Sequence, residues 1–313
     1  MLTKQVTEVY ELLDRADASG ELVRRYFDAI GGGDVQLERL GQGEKTTDCI
    51  RICIPGSHGK TVGQDAPTLG ILGRLGGVGA RPEMVGYVSD GDGALAALAA
   101  AAKLLDMSRK GDRLEGDVVI CTDINPSAPT QPHEPVPFMG SAVDIDTVNR
   151  AEISEDIDAI LCIDTTKGNR IINHNGIAIS PTVKEGYILR VSEALLDVLQ
   201  IVTGKPPRVF AISQQDITPY GNDLYHLNSI MQPATVTSAP VVGVAVTSEM
   251  MVPGCATGAS RCEDVEAAAR FAIEVAKGFG RGKIPFYDQA EYAAILKKYG
   301  RMTHFQRRGE GAC

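Results

Sequence analysis

The sequence predicts an α/β fold in three layers, α/β/α, around a mostly parallel central sheet, on three observations. Short β-branched runs recur along the chain: 51-RICIP-55, 118-VVICT-122, 159-AILCID-164, 208-RVFAI-212 and 241-VVGVAV-246. Each ends in polar or glycine-rich residues, and most are separated by segments of helical periodicity. Strands that alternate with helices must be joined by crossovers, which lay the strands parallel and cover both faces of the sheet. The 313 residues show no internal repeat and no clear linker, so one α/β domain over 1–313 is expected.

The elements follow in order. The first forty residues read as helical: Val6, Val9, Leu12 and Leu13 share a face, and a second helix follows Ser19, whose hydroxyl can cap it with Glu21 in the first turn. In 86-GYVSDGDGALAALAAAAKLL-105 two aspartates stand among glycines before a helix with almost no polar face. A helix of that composition has to be buried nearly all round, and its small residues let it pack close to the sheet. The stretch 125-NPSAPTQPHEPVPF-138 is too long and too proline-laden for a plain connection, so a functional loop is expected there. An alanine-rich helix from Asp264 to about Gly278 and a basic end from Arg301 to Arg308 close the chain.

Composition narrows the partners. A net charge of −9 repels nucleic acid and anionic lipid, whose binding needs clustered Lys and Arg, so neither is expected as a partner. Cys53, Cys121 and Cys162 sit inside apolar runs as small buried hydrophobes, and an odd total of seven cysteines argues against a disulfide framework. No signal core and no run near the ~20 residues needed to span a bilayer is present, which places the expected location in the cytoplasm. Alanine-rich and glycine-rich surfaces point to a homo-oligomer.

In a parallel α/β sheet, ligands bind beyond the carboxyl ends of the strands. The residues that end strands here are His58, Asp90, Asp123 and Asp164. Three carboxylates converging on one edge raise each other's pKa unless a cation joins them, and histidine with carboxylates suits zinc, manganese or cobalt.

On these residues the chain resembles the co-catalytic zinc aminopeptidase and deacylase superfamily, as a divergent prokaryotic branch of it. The helix 18-ASGELVRRYF-27 resembles the superfamily's Ser-Gly-x-Glu opening, and His58 resembles its first metal-ligand histidine. Asp90 before the alanine-rich helix resembles the bridging aspartate, and Asp164 the late ligand aspartate. The segment 221-GNDLYHL-227 resembles a Gly-Thr-Asp-Ala element, and 263-EDVEAAARFAIEVAKGF-279 the closing helix. The resemblance implies a zinc-exopeptidase-like fold and a metal-dependent hydrolase of amide or peptide bonds in a small substrate. Asp90 would bridge metals that His58 and Asp164 complete. The chain departs from the pattern at Lys60, where an aspartate is expected, at Asn125 and Pro126, where a Glu-Glu pair is expected, and at Gly254 or Cys255, where the last histidine is expected. The site is therefore expected to be rebuilt, with Asp123 as ligand or base and His133, Glu134 or Glu249 supplying missing roles.

Two further readings compete. In 54-IPGSHGKTV-62 a strand enters Gly-x-x-Gly-Lys-Thr, which resembles the phosphate loop of ATP-dependent amino-acid ligases, although Ile54 stands where the Walker spacing needs glycine. Alternatively, loss of the Glu-Glu pair and of the last histidine leaves a non-catalytic relative that binds a small ligand.

Overall fold

A computed structural model describes residues 1–31, 34–134, 136–166, 168–213, 227–256 and 260–306. The segment 221–226, Pro135 and the end of the basic tail lie outside the described residues. Helices α1 (Thr3–Leu13) and α2 (Gly20–Ala29) open the chain, and Ser19 caps α2 by accepting from the Leu22 N–H. The helical reading of the first forty residues ends there. Strand β1 (Asp34–Gln42) follows and forms a hairpin with β2 (Lys45–Ile54). Next come β3 (Leu69–Gly73), α3 (Asp92–Arg109), β4 (Val118–Ile124), the short β5 (Thr130–Gln131) and β6 (Phe138–Met139), α4 (Ile145–Glu152) and β7 (Ala159–Thr166). The second half adds β8 (Gly176–Ile179), β9 (Val183–Lys184), β10 (Tyr187–Ile188), α5 (Glu193–Thr203), β11 (Val241–Thr247), α6 (Cys262–Phe279) and α7 (Gln289–Tyr299).

The nine-stranded sheet runs β1-β2-β4-β3-β7-β11-β9-β10, with β8 also on β11. Its middle, β4-β3-β7-β11, is parallel, and the flanking pairs are antiparallel. The run at 208–212 forms no strand among the described residues and meets the sheet only through a bridge from Val209 to Ile179. The sheet's two faces carry separate cores. Ile50, Ile71, Ile120 and Ile163 face α1, α2, α3 and α6, while Leu72, Cys121 and Cys162 face the turn at Ser229–Thr235. On that second side α4 sets Val148 against Leu40 and Cys49, completing the three layers. No helix among the described residues is long and apolar enough to cross a membrane.

The position of α3 fixes the rest. From Asp92 to Ala102 every residue is buried, as its composition demands. The helix begins so close to the sheet that a Cβ on Gly93 would lie 2.0 Å from the Arg74 carbonyl oxygen and 2.4 Å from that of Ile163. Only glycine fits there. Alanine normally stabilises a helix over glycine by roughly 0.5–1 kcal/mol. Gly93→Ala should instead destabilise by about 3 kcal/mol or more, since backbone would have to move. Urea denaturation of the two proteins reads the sign directly.

Candidate functional site at the carboxyl edge

The edge formed by the carboxyl ends of β4, β3 and β7 carries a row of charged side chains. Gly73 pairs with Thr122 on one side and with Ile163 on the other, so the next residue of each strand, Asp123, Arg74 and Asp164, stand abreast. Equivalent positions in parallel strands point to the same face. Arg74 is 1% exposed and contacts Glu152 of α4, itself fully buried, at 2.5 Å. Arg74 also donates to the Asn149 side chain at 2.6 Å. Burial pushes the Glu152 carboxyl up, and the Arg74 guanidinium pulls the other way. Neither Arg74 nor Glu152 was singled out from the sequence. The available signal was one arginine between an apolar run and a glycine run, in 69-LGILGRLGG-77.

Asp123 is buried and held by structure: it accepts from the Thr47 hydroxyl at 2.9 Å and from the Gly76 N–H at 3.0 Å. Asp164 accepts from the Thr165 N–H at 2.7 Å and from the Ser229 hydroxyl at 3.4 Å. Thr165 turns its hydroxyl to Asp90 at 3.2 Å, so this threonine bonds Asp164 through its N–H and Asp90 through its hydroxyl. Asp90 lies in a short turn, Ser89–Gly91, before α3, whose N-cap is Gly91 without a side-chain cap bond. The aspartates of 90-DGD-92 are thus not the helix's caps. Asp92 is fully buried and accepts from Ser260 at 2.7 Å and Tyr87 at 3.3 Å. Burial, and then the Asp92 carboxylate, push the Tyr87 phenol well above its ordinary value, which keeps it a donor. Gly254 packs on Asp90, with its carbonyl accepting from the Asp90 N–H at 3.0 Å. Gly254, one of the two positions where the resemblance expects the last histidine, therefore does reach Asp90, but carries no side chain.

Other sequence-based expectations are corrected. His58 does not join the aspartates. Strand β2 runs antiparallel to β4, with Ile54 opposite Val118, so its carboxyl end lies at the amino edge of the parallel strands. There His58 bonds the Glu115 carbonyl through its N–H at 2.9 Å and contacts Ser57 through its ring. Glu249 is exposed beyond β11 and accepts from Asn175 at 3.0 Å. His133 packs edge-on against Phe138, with its Nδ1 3.3 Å from the Val136 carbonyl, and Glu134 is exposed. Among the described residues no hydrogen bond or ion pair joins His133, Glu134 or Glu249 to Asp90, Asp123 or Asp164. The proline-rich loop does wall a cavity of about 520 Å³ at this edge, with Pro126, Ser127 and Gln131 facing Ser19, Thr46 and Asp48.

The Gly-Ser-His-Gly-Lys-Thr loop is occupied by the protein's own anion. Asp117, 2% exposed, accepts from the Gly56 N–H at 2.8 Å, the Thr61 N–H at 2.9 Å and the Thr61 hydroxyl at 2.7 Å. Lys60 pairs with Asp158 at 2.7 Å. Groups that would cradle a phosphate thus hold carboxylates, and only a short turn, Lys60–Val62, follows where a phosphate loop needs a helix.

The sequence matches, over residues 38–309, the family described as Protein of unknown function (DUF1177). The chain belongs to that family. No curated protein sequence matches it. Among solved structures, a mutant of tomato leucine aminopeptidase superposes with a TM-score of 0.54 at 10% identity, covering 87% of this chain and 61% of that one. This chain thus spans less than two thirds of that enzyme. A TET aminopeptidase from a marine sediment thaumarchaeote is similar at a TM-score of 0.49 and 10% identity over 90% of this chain and 99% of that one. A glutaminyl cyclase from an Acidobacteriales bacterium is similar at 0.49 and 14% identity over 90% of this chain and 94% of that one. The likeness to the tomato enzyme shows the zinc-exopeptidase-like α/β fold expected from the sequence.

The residues present fit the metal that such a fold implies only in part. Asp90 and Asp164 offer two hard oxygen donors at the expected edge. Among the described residues no group of three or more His, Cys, Asp or Glu is placed to hold an ion. At the Asp123 side a guanidinium occupies the middle of the row.

The loop at the amino edge yields a prediction. Asp117→Ala should cost roughly 3 kcal/mol in urea unfolding, because it leaves buried donors unsatisfied. Lys60→Ala, which breaks only a half-exposed pair, should cost within ~1 kcal/mol. Neither the native protein nor either variant should gain thermal stability from ATP with magnesium; a shift lost in Lys60→Ala would restore the phosphate-loop reading.

Proposed function

We propose that this chain hydrolyses an amide or peptide bond of a small molecule or short peptide at the carboxyl edge of its parallel strands. The observation that carries this reading is that Thr165 bonds Asp164 through its N–H and Asp90 through its hydroxyl, at the edge where an α/β sheet binds its ligands. Asp90 and Thr165 are only half-buried, so a substrate can approach them, whereas Asp164 is 3% exposed and held in one orientation. The proposed cofactor is a divalent metal, zinc first, with manganese or cobalt as alternatives, and Asp90 and Asp164 are the described residues that would hold it. When bound, such an ion lowers the pKa of its water and polarises the scissile carbonyl. Within this reading, Thr165 orients Asp90 through its hydroxyl and Asp164 through its N–H. A cytoplasmic homo-oligomer is proposed from composition alone.

A second reading is a non-catalytic relative that binds a small ligand. Three observations favour it: Asn125 stands where a base is expected, Gly254 faces Asp90 without a side chain, and Arg74 supplies a fixed cation.

Metal content per chain, measured by plasma mass spectrometry on protein purified without chelator or affinity histidines, separates the two. The hydrolase reading expects about one equivalent of a transition metal, lost in Asp90→Asn and in Asp164→Asn. Activity on a panel of aminoacyl and N-acyl amides should fall on the order of 100-fold or more in the same variants. A native protein that takes up no zinc, manganese or cobalt and cleaves nothing in the panel sinks the hydrolase reading in favour of ligand binding.

A further inference from the structure

Another cavity, of about 210 Å³, lies between the residues that lead into β8, the end of α5 with the residues after it, and α6. Strand β11 stands between β8 and β7, the strand that carries Asp164. We propose that this cavity binds a small carboxylic acid with an aliphatic body, its carboxylate held by Lys205 and Arg208.

The lining is the first support. Ile177, Leu199 and Val202 are buried and Ala267 is half-buried, so the cavity has an apolar floor. An apolar hollow with a few charged groups at its rim suits a small organic ligand. Charge is the second. Of the charged residues lining the cavity, Arg270 pairs with Glu266 at 3.0 Å and Asp264 with Arg261 at 3.1 Å. Lys205, Arg208 and Glu263 are exposed, and their side chains form no ion pair and no hydrogen bond among the described residues. Two cations and one carboxylate leave a single positive charge, which one bound carboxylate neutralises. The two cations also converge. Burial first, then Arg208 and Lys205, hold the His174 ring below its ordinary value against the opposing Ile177 backbone, and His174 lines the same cavity. Lys205 acts on Asp264 only behind Arg261 and Glu263. Rigidity is the third support. Between the two cations stand Pro206 and Pro207, whose rings fix the backbone. Thr203 Oγ1 accepts from the Lys205 N–H at 3.3 Å, and the Arg208 carbonyl accepts from the Ile179 N–H of β8 at 3.0 Å. The backbone that carries the pair is thus held before a ligand arrives, and a guanidinium fork matches a carboxylate.

Isovalerate is the probe, with acetate as a carboxylate lacking the aliphatic body and isoamyl alcohol as the body lacking the charge. In calorimetric titration at constant ionic strength, isovalerate should bind the native protein about tenfold or more tighter than either. Arg208→Gln and Lys205→Gln change exposed side chains, so they should fold normally, and each should weaken isovalerate by about fivefold or more. Ala267→Leu fills the floor and should weaken it comparably with both charges intact. The bound carboxylate offsets Arg208 and Lys205, so the His174 ring signal in NMR should titrate at higher pH with isovalerate than with chloride. An isovalerate-bound protein whose His174 titration is unmoved, or a double variant Arg208→Gln/Lys205→Gln with native affinity, overturns the proposal. So does acetate that binds as tightly as isovalerate, or native protein with no saturable binding of isovalerate up to about 20 mM. None of these outcomes depends on whether the carboxyl edge hydrolyses anything.

Discussion

The close seating of α3 on the parallel strands is the constraint from which the carboxyl edge follows. Because Gly93 admits the Arg74 and Ile163 carbonyls to within the space of a missing Cβ, the helix starts directly over the ends of β3 and β7. The turn before it then delivers Asp90 to Thr165 and Asp92 to Tyr87 and Ser260. A helix with an ordinary polar face could not lie there. The run of alanines from Ala94 to Ala102 buries little per residue, and what it contributes is proximity, since small side chains bring backbone to backbone.

The two edges of the sheet use charge in opposite ways. At the amino edge, Asp117 gathers three donors from the 54–62 loop and Lys60 is tied to Asp158, so the loop is closed upon itself. At the carboxyl edge, Arg74 and Glu152 form a buried ion pair of the kind that is costly to assemble and much costlier to break by removing one partner. Such pairs add little net stability over apolar packing. Asp123, bonded by Thr47 and Gly76, is locked into this framework and tied to the β1–β2 hairpin. The same aspartate that reads as a candidate base in the sequence thus joins sheet and loop in the structure.

Much of the architecture was legible in advance. Periodicity located four of the central strands' runs and both long buried helices, and the alanine-rich composition required burial. The strands that escaped detection did so for physical reasons. Strand β3, Leu69–Gly73, is short and holds two glycines, so it lacks the β-branched signal, although it lies at the centre of the sheet. Strand β1 is largely exposed at the sheet edge and falls mostly within the first forty residues, which read as helical. At the site, Asp90 and Asp164 could be named because acidic residues after apolar runs are conspicuous. Arg74, Glu152 and Thr165 could not, because an isolated arginine, a glutamate at the end of a short helix and a threonine after a strand are common everywhere.

The sequence by itself determined the class of fold, the burial of α3, the Ser19 cap of α2 and the acidic residues that end the strands, since all of these depend on local periodicity and composition. The tertiary structure alone decided strand direction and register. A single antiparallel pairing, β2 on β4, moves His58 to the far edge, and a single residue of register sets Arg74 between Asp123 and Asp164. Strand direction is carried by contacts between segments distant in the chain, which leave no local pattern to read.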